Sequence, residues 1–221
     1  REKKFKYFNI YLVNIFFIWC LYFIIRSLFA SDILLSLENT LFHFRFGVLV
    51  LALIFLFKNI DNLITRFSYI LFFSLILVST DGIFQFFFGF NFFGFEMPNL
   101  QSYTGRISGF FKDELIMGSY LSRLFPLSLG LIIFSFSKFR NFKFLIIFFI
   151  TIINIGVFIS GERSAFLYSF LANTIFLIFF NKYRIQIFFS MALTVLIILT
   201  ILNYNDNLER RMVSFTKDQI T

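Results

Sequence analysis

The sequence predicts an all-α fold: a polytopic transmembrane helical bundle of about seven spans. Three observations carry that reading. Hydrophobic residues make up 59% of the 221 residues and charged residues 14%, with a mean hydropathy of +0.84. A water-soluble domain of this length does not need so much apolar side chain. The apolar residues fall into long runs, most of them close to the length that crosses a bilayer. Short loops rich in Lys and Arg separate some of these runs, as cytoplasmic loops do.

The predicted helices cover 8–26, 44–57, 67–80, 115–136, 144–160, 164–180 and 185–202. The first is too long for a cleavable signal peptide, and no small-residue cleavage pattern follows it. It holds Cys20, the only cysteine, so no intrachain disulfide forms. The second is short, and its start extends back toward Leu41. The third leads into an outer segment, 81–114, that is Phe-rich yet interrupted by Gly82, Gly89 and Gly94, with Pro98 and the polar run Asn99 to Thr104 after it. This segment reads as interfacial or re-entrant. Asp81 and Gln85 share one helical face, four residues apart. Asp81 is expected to end the third helix.

The fourth span carries Arg123 and Pro126 inside an apolar run. An Arg at a helix centre costs about 2.5–3.5 kcal/mol, so Arg123 is expected either to line a polar cavity or to pair with Glu114 or Asp81. In the fifth span, thirteen Phe, Ile, Leu and Val residues outweigh Thr151, Asn154 and Gly156. Asn154, Ser169 and Asn173 are read as interhelical hydrogen-bonding groups. The fifth and sixth spans are joined by Ser160-Gly161-Glu162-Arg163, a tight charged hairpin. The chain begins at Arg1 and ends in a polar stretch. Residues 1–221 are read as one transmembrane domain truncated at both ends, with 202–221 beginning an outer loop.

Loop charge sets the expected orientation. One side carries Arg1, Lys3, Lys4, Lys6, Lys58, Arg66, Lys138, Arg140, Lys143, Lys182 and Arg184, with Glu2 and Asp61 its only acids. That side is expected to be cytoplasmic, which puts the N-terminus inside and the C-terminus outside. On the other side the basic residues are mostly Arg: Arg26, Arg45, Arg106, Arg123, Arg163, Arg210 and Arg211. A guanidinium offers a planar fork suited to phosphate. Spans two, four and six start on that side, with Arg45, Arg106 and Arg163 at or just ahead of their N-termini. Helix starts with Arg beside them form an anion site if they converge. His43, the only histidine, reads as a structural interfacial residue. No nucleotide-binding loop and no acidic metal motif is present in the sequence.

Several of these segments resemble the O-antigen ligase and O-antigen polymerase superfamily. Arg106-Ile107-Ser108-Gly109-Phe110-Phe111-Lys112-Asp113-Glu114 resembles its R-x-x-G-x-F-x-(D/N)-(E/P) entry to a central helix. Ser160-Gly161-Glu162-Arg163-Ser164-Ala165 resembles its (S/T)-G-x-R-(S/G)-A hairpin. Asp81-Gly82-x-x-Gln85 and Arg45-Phe46 also look like its pattern. The motifs span residues 45–170 in the family's order.

The resemblance implies a GT-C-like glycosyltransferase of the bacterial inner membrane. Such an enzyme takes a glycan from undecaprenyl pyrophosphate on the periplasmic face and joins it to lipid A-core or to a growing glycan. It implies no metal, no cofactor and no nucleic-acid partner; the other partners are membrane lipids. Arg45, Arg106, Arg163 and Arg123 are the implied pyrophosphate ligands, supported by Asp81, Gln85, Glu114 and Glu162. Ligases of the family carry a catalytic His in a large late outer loop. The base is therefore expected beyond Thr221, with Arg210 and Arg211 in that loop. The competing class is a transporter or flippase of an anionic glycolipid, which would need access from both faces. The clustering of polar residues on the outer side weighs against it.

Overall fold

The computed structural model describes residues 11–96, 106–136, 139–204, 206–210 and 212. Nine α-helices are formed by these residues: α1 Tyr11–Ser27, α2 Ile33–Phe42, α3 Phe44–Asn59, α4 Leu63–Phe88, α5 Met117–Phe136, α6 Phe142–Ile159, α7 Arg163–Phe179, α8 Arg184–Tyr204 and α9 Asp206–Glu209. Among the described residues no strand forms, only an isolated bridge between Phe90 and Glu96. Residues 8–10, the Pro98–Thr104 run, Lys138 and Arg211 lie outside the described residues.

The protein is all-α, and each of the seven expected helices is present. Five described helical stretches are long and apolar enough to cross a membrane: Ile33–Phe57, Leu63–Phe88, Met117–Phe136, Phe142–Ile159 and Asn181–Asn203. Two shorter apolar helices accompany them, Val13–Ser27 and Arg163–Phe179.

Two boundaries differ from expectation. The expected second helix starts at Phe44 as α3, but α2 runs into it, so the continuous apolar helical stretch begins at Ile33. Asp32 caps α2 by accepting the Leu35 N–H at 3.2 Å. The polar residues Ser36, Glu38 and Asn39 mask this helix in a hydropathy reading. α2 passes into α3 through His43, whose backbone stays helical at φ −68° and ψ −25°. The third helix does not end at Asp81: α4 continues to Phe88, and one carboxylate oxygen, Oδ1, accepts a backbone N–H inside the protein while Oδ2 stays buried without a partner.

The chain divides into two compact units, Arg1–Ile64 and Thr65–Thr221. In the first, α1 packs on α2 and α3. Ser27 Oγ donates to the Phe23 carbonyl at 2.8 Å and lies 2.7 Å from Thr40 Oγ1, which ties α1 to α2. In the second unit α6 is central. It is apolar on nearly every face, as a helix surrounded by protein must be. Phe149, fully buried, stacks on Phe72 of α4 at 5.3 Å and on Phe125 of α5 at 6.1 Å. Ile146, Ile150, Ile153 and Val157 extend this core toward α5 and α8. Between α6 and α7, Asn154 Oδ1 accepts from Ser169 Oγ and, at 3.1 Å, from Asn173 Nδ2. The expected interhelical polar contact is therefore present.

Candidate functional site

The site is built where α5 and α7 begin. α6 ends at Ile159 with Ser160 as its C-cap, and Gly161 follows at φ +69°, a left-handed step that lets the chain reverse within three residues. Glu162 then takes extended backbone (φ −94°, ψ 101°) as the N-cap of α7, and Arg163 is the first helical residue. The Glu162 carboxylate does not cap its own helix. It reaches Arg106, with Oε1 at 3.4 Å from Nη2.

The same Nη2 donates to the Leu115 carbonyl at 2.8 Å, two residues ahead of α5. Arg106 therefore ties the entry of α5 to the start of α7. Close packing supports the junction. A Cβ on Gly118 would collide with Ser160 Oγ and stand 3.1 Å from Glu162 Cβ. Two of the three expected helix starts thus converge, and both present the positive end of a helix dipole to one place.

The Glu162 side chain is 9% exposed and that of Arg106 27%. Each retains a buried polar atom with no hydrogen-bond partner, Glu162 Oε1 and Arg106 Nε. The pair is close enough to neutralise charge but not aligned as a full hydrogen bond.

Behind Arg106 lies a buried polar clamp. Asp81, Gln85 and Asn91 are each 0% exposed, and they tie the end of α4 to two loops. Asp81 Oδ1 accepts from the Phe92 N–H at 2.8 Å. Gln85 Oε1 accepts from the Gly109 N–H at 2.7 Å, and its Nε2 donates to the Phe95 carbonyl at 3.4 Å. Asn91 Nδ2 donates to the Gly109 carbonyl at 2.9 Å, while its Oδ1 accepts from Phe93 and Phe95 N–H at 3.0 and 2.8 Å. Gly109 sits at φ +57°, and a Cβ there would stand 3.2 Å from Asp81 Oδ2. The loop that carries Arg106 is thus anchored from below by α4.

The other expected site residues have surroundings of their own. Arg45 is exposed, and its guanidinium lies over the rings of Phe42 and Phe46 at 5.8 and 4.9 Å. It does not stand at a free helix start, because α2 precedes α3 with one helical residue between. Arg123 lies six residues after the first residue of α5, about 9 Å along the axis and shallower than the sequence implied. Its side chain is exposed, and among the described residues no acid comes within ion-pair reach. The expected pairing with Glu114 or Asp81 is absent among the described residues. Glu114 is exposed and joins the turn ahead of α5 through its backbone N–H to the Phe111 carbonyl at 3.0 Å. His43 is structural: Nδ1 lies 2.8 Å from the Asn39 carbonyl, and its ring packs beside Phe23 and Phe46. Among the described residues no group of three metal-ligating side chains is present.

Sequence reasoning missed Asn91; it placed Gly109 and Ser160 in motifs without their packing roles. For Asn91 the signal was present: an Asn between Gly89 and Gly94 is a turn residue whose side chain bonds nearby backbone. The arrangement presents guanidinium and helix-dipole charge to an anion, with one carboxylate resident beside it. No protein family, curated protein or solved structure matches the chain.

Proposed function

We propose that the chain belongs to a periplasmic-face glycosyltransferase of the O-antigen ligase or polymerase kind, with seven spans and a GT-C-like bundle. The five long helices are joined in this reading by α1 and α7, each of 17 residues, near the lower limit for crossing. The N-terminus is cytoplasmic and the Arg-bearing hairpin periplasmic, following the Lys/Arg loops. The donor is a glycan on undecaprenyl pyrophosphate, and the acceptor is lipid A-core or a growing glycan. An acceptor hydroxyl oxygen bonds to the anomeric carbon as the bond to the pyrophosphate oxygen breaks. The hydroxyl proton passes to a base, and undecaprenyl pyrophosphate departs. Arg106 and Arg163 offset the charge that develops on the leaving group. Neither Asp81, enclosed in its clamp, nor His43 is assigned the base role.

One observation carries the reading. Arg106 joins the two motifs most like those of the family, binding the Leu115 carbonyl and the Glu162 carboxylate at once. Arg106→Ala and Arg163→Ala, each in the full-length protein, are expected to abolish transfer of glycan from undecaprenyl pyrophosphate at normal membrane abundance. Lys in either place restores activity only in part, because a point charge lacks the bidentate fork. Near-normal transfer by Arg163→Ala sinks the proposal.

A further inference from the structure

The geometry points to a second phosphate-binding site, in the first unit and independent of the glycosyltransferase reading: the cavity between α1 and α2 holds the phosphate of a membrane lipid. The cavity has a volume of about 440 Å³ and is lined by Phe23, Arg26, Ser27, Ser31, Ser36 and Thr40, among others. Its polar groups divide into a closed set and an open one. Ser27 and Thr40, both buried, bond each other, and Ser27 also donates to the Phe23 carbonyl. They form the floor and keep no proton to offer.

The open set is Arg26, Ser31 and Ser36. Arg26 Nη1 makes one long contact, 3.4 Å to the Tyr22 hydroxyl, which leaves most of the guanidinium fork unengaged. Among the described residues, no side-chain hydrogen bond is made by the hydroxyls of Ser31 or Ser36. The acid that should neutralise Arg26 is Asp32, and it is committed elsewhere: its carboxylate accepts the Leu35 N–H at the start of α2. A cation, two hydroxyl donors and no acid line one cavity. A phosphate oxygen pair fits the guanidinium fork, and the hydroxyls donate to the remaining oxygens.

The surroundings favour lipid over free phosphate. The site lies at the turn between two apolar helices, at the depth where lipid phosphates sit if those helices cross the bilayer. Leu28 and Phe29 of that turn are 54% and 85% exposed. Phe23 and Phe29 line the cavity beside its polar groups. A headgroup phosphate with the first carbons of its acyl chains meets both kinds of wall.

The test uses the full-length protein, delipidated in neutral detergent, with adducts counted by native mass spectrometry. The probes are dioctanoyl phosphatidylglycerol, dioctanoylglycerol and inorganic phosphate. Wild type is expected to bind the phosphatidylglycerol and not dioctanoylglycerol, which has the same chains without the phosphate. Arg26→Gln should lose at least about fivefold in affinity, with Arg26→Lys intermediate and Ser36→Ala weakened about two- to threefold. Glu38→Gln, a control outside the cavity, should leave binding unchanged. Inorganic phosphate binding as tightly as the lipid would overturn the lipid as occupant. Equal binding of phosphatidylglycerol by wild type, Arg26→Gln and Ser36→Ala would overturn the site altogether. Should Arg26→Gln fold poorly, Ser31→Ala with Ser36→Ala gives the same reading with the cation in place.

Discussion

At the scale of single residues, the charge balance at Glu162 decides how the candidate anion site behaves. Its carboxylate occupies Arg106 at 3.4 Å while both partners keep a buried unbonded atom. The pair joins a nearly buried carboxylate to a partly exposed guanidinium, and its geometry falls short of a hydrogen bond. Removing the negative charge should therefore favour an incoming anion. Glu162→Gln is expected to bind inorganic pyrophosphate roughly two- to fivefold more tightly than wild type, read by calorimetry on the full-length protein. Weaker binding would make Glu162 a positioning group instead. Arg123 provides the contrast. Exposed and unpaired among the described residues, it can extend along the helix toward its polar end. Arg123→Gln should leave both the melting temperature and pyrophosphate affinity close to wild type, whereas Arg106→Gln should weaken pyrophosphate binding.

At the scale of elements, the clamp at the end of α4 makes two loops into one support. Asp81 takes part through a single acceptor atom, Oδ1. Asp81→Asn retains an acceptor for the Phe92 N–H, and Asp81→Leu does not. The Leu variant leaves a backbone donor unpaired, at a cost of about 1–3 kcal/mol. It should melt several degrees lower and be cut faster by trypsin after Arg106 and Lys112; Asn should stay nearer wild type on both measures. Equal loss in the two variants would mean that the charge, not the acceptor, matters. Helix contact is equally tight where α5 meets the hairpin. Gly118→Ala places a methyl against Ser160 Oγ, an overpacking that should cost about 1–3 kcal/mol in a thermal melt. Gly156 meets Ser79 of α4 in the same way, so α6 is pinned on two sides by absent side chains.

At the scale of the whole molecule, the proposed orientation rests on short basic loops that carry no tertiary information. Cysteines placed at Arg140 and Lys182, in a Cys20→Ser background, are expected to react with impermeant maleimide only from the cytoplasmic side. Labelling from the periplasm would reverse the topology and remove the proposed outer site. The expected orientation is the same whether the second apolar stretch begins at Ile33 or at 44, because neither choice changes the number of apolar segments between basic loops.

The all-α class, the seven helices and the Ser160–Arg163 hairpin were legible in the sequence because hydropathy and loop charge act locally. Each residue contributes to them whatever its neighbours in space. The pairing of Arg106 with Glu162, the clamp around Gly109 and the isolation of Arg123 were not legible. In sequence, Arg106 and Arg163 stand at expected helix starts and Arg123 inside an apolar run, and all three read as ligands of one anion. Packing distinguished them: Gly82 and Gly118 let α4, α5 and the hairpin approach closely enough to enclose polar groups. Asp81 shows the reason most clearly. A carboxylate in an apolar run reads as the end of a helix when water is its only partner. The Phe92 N–H, which folding brings to it, keeps it buried within α4.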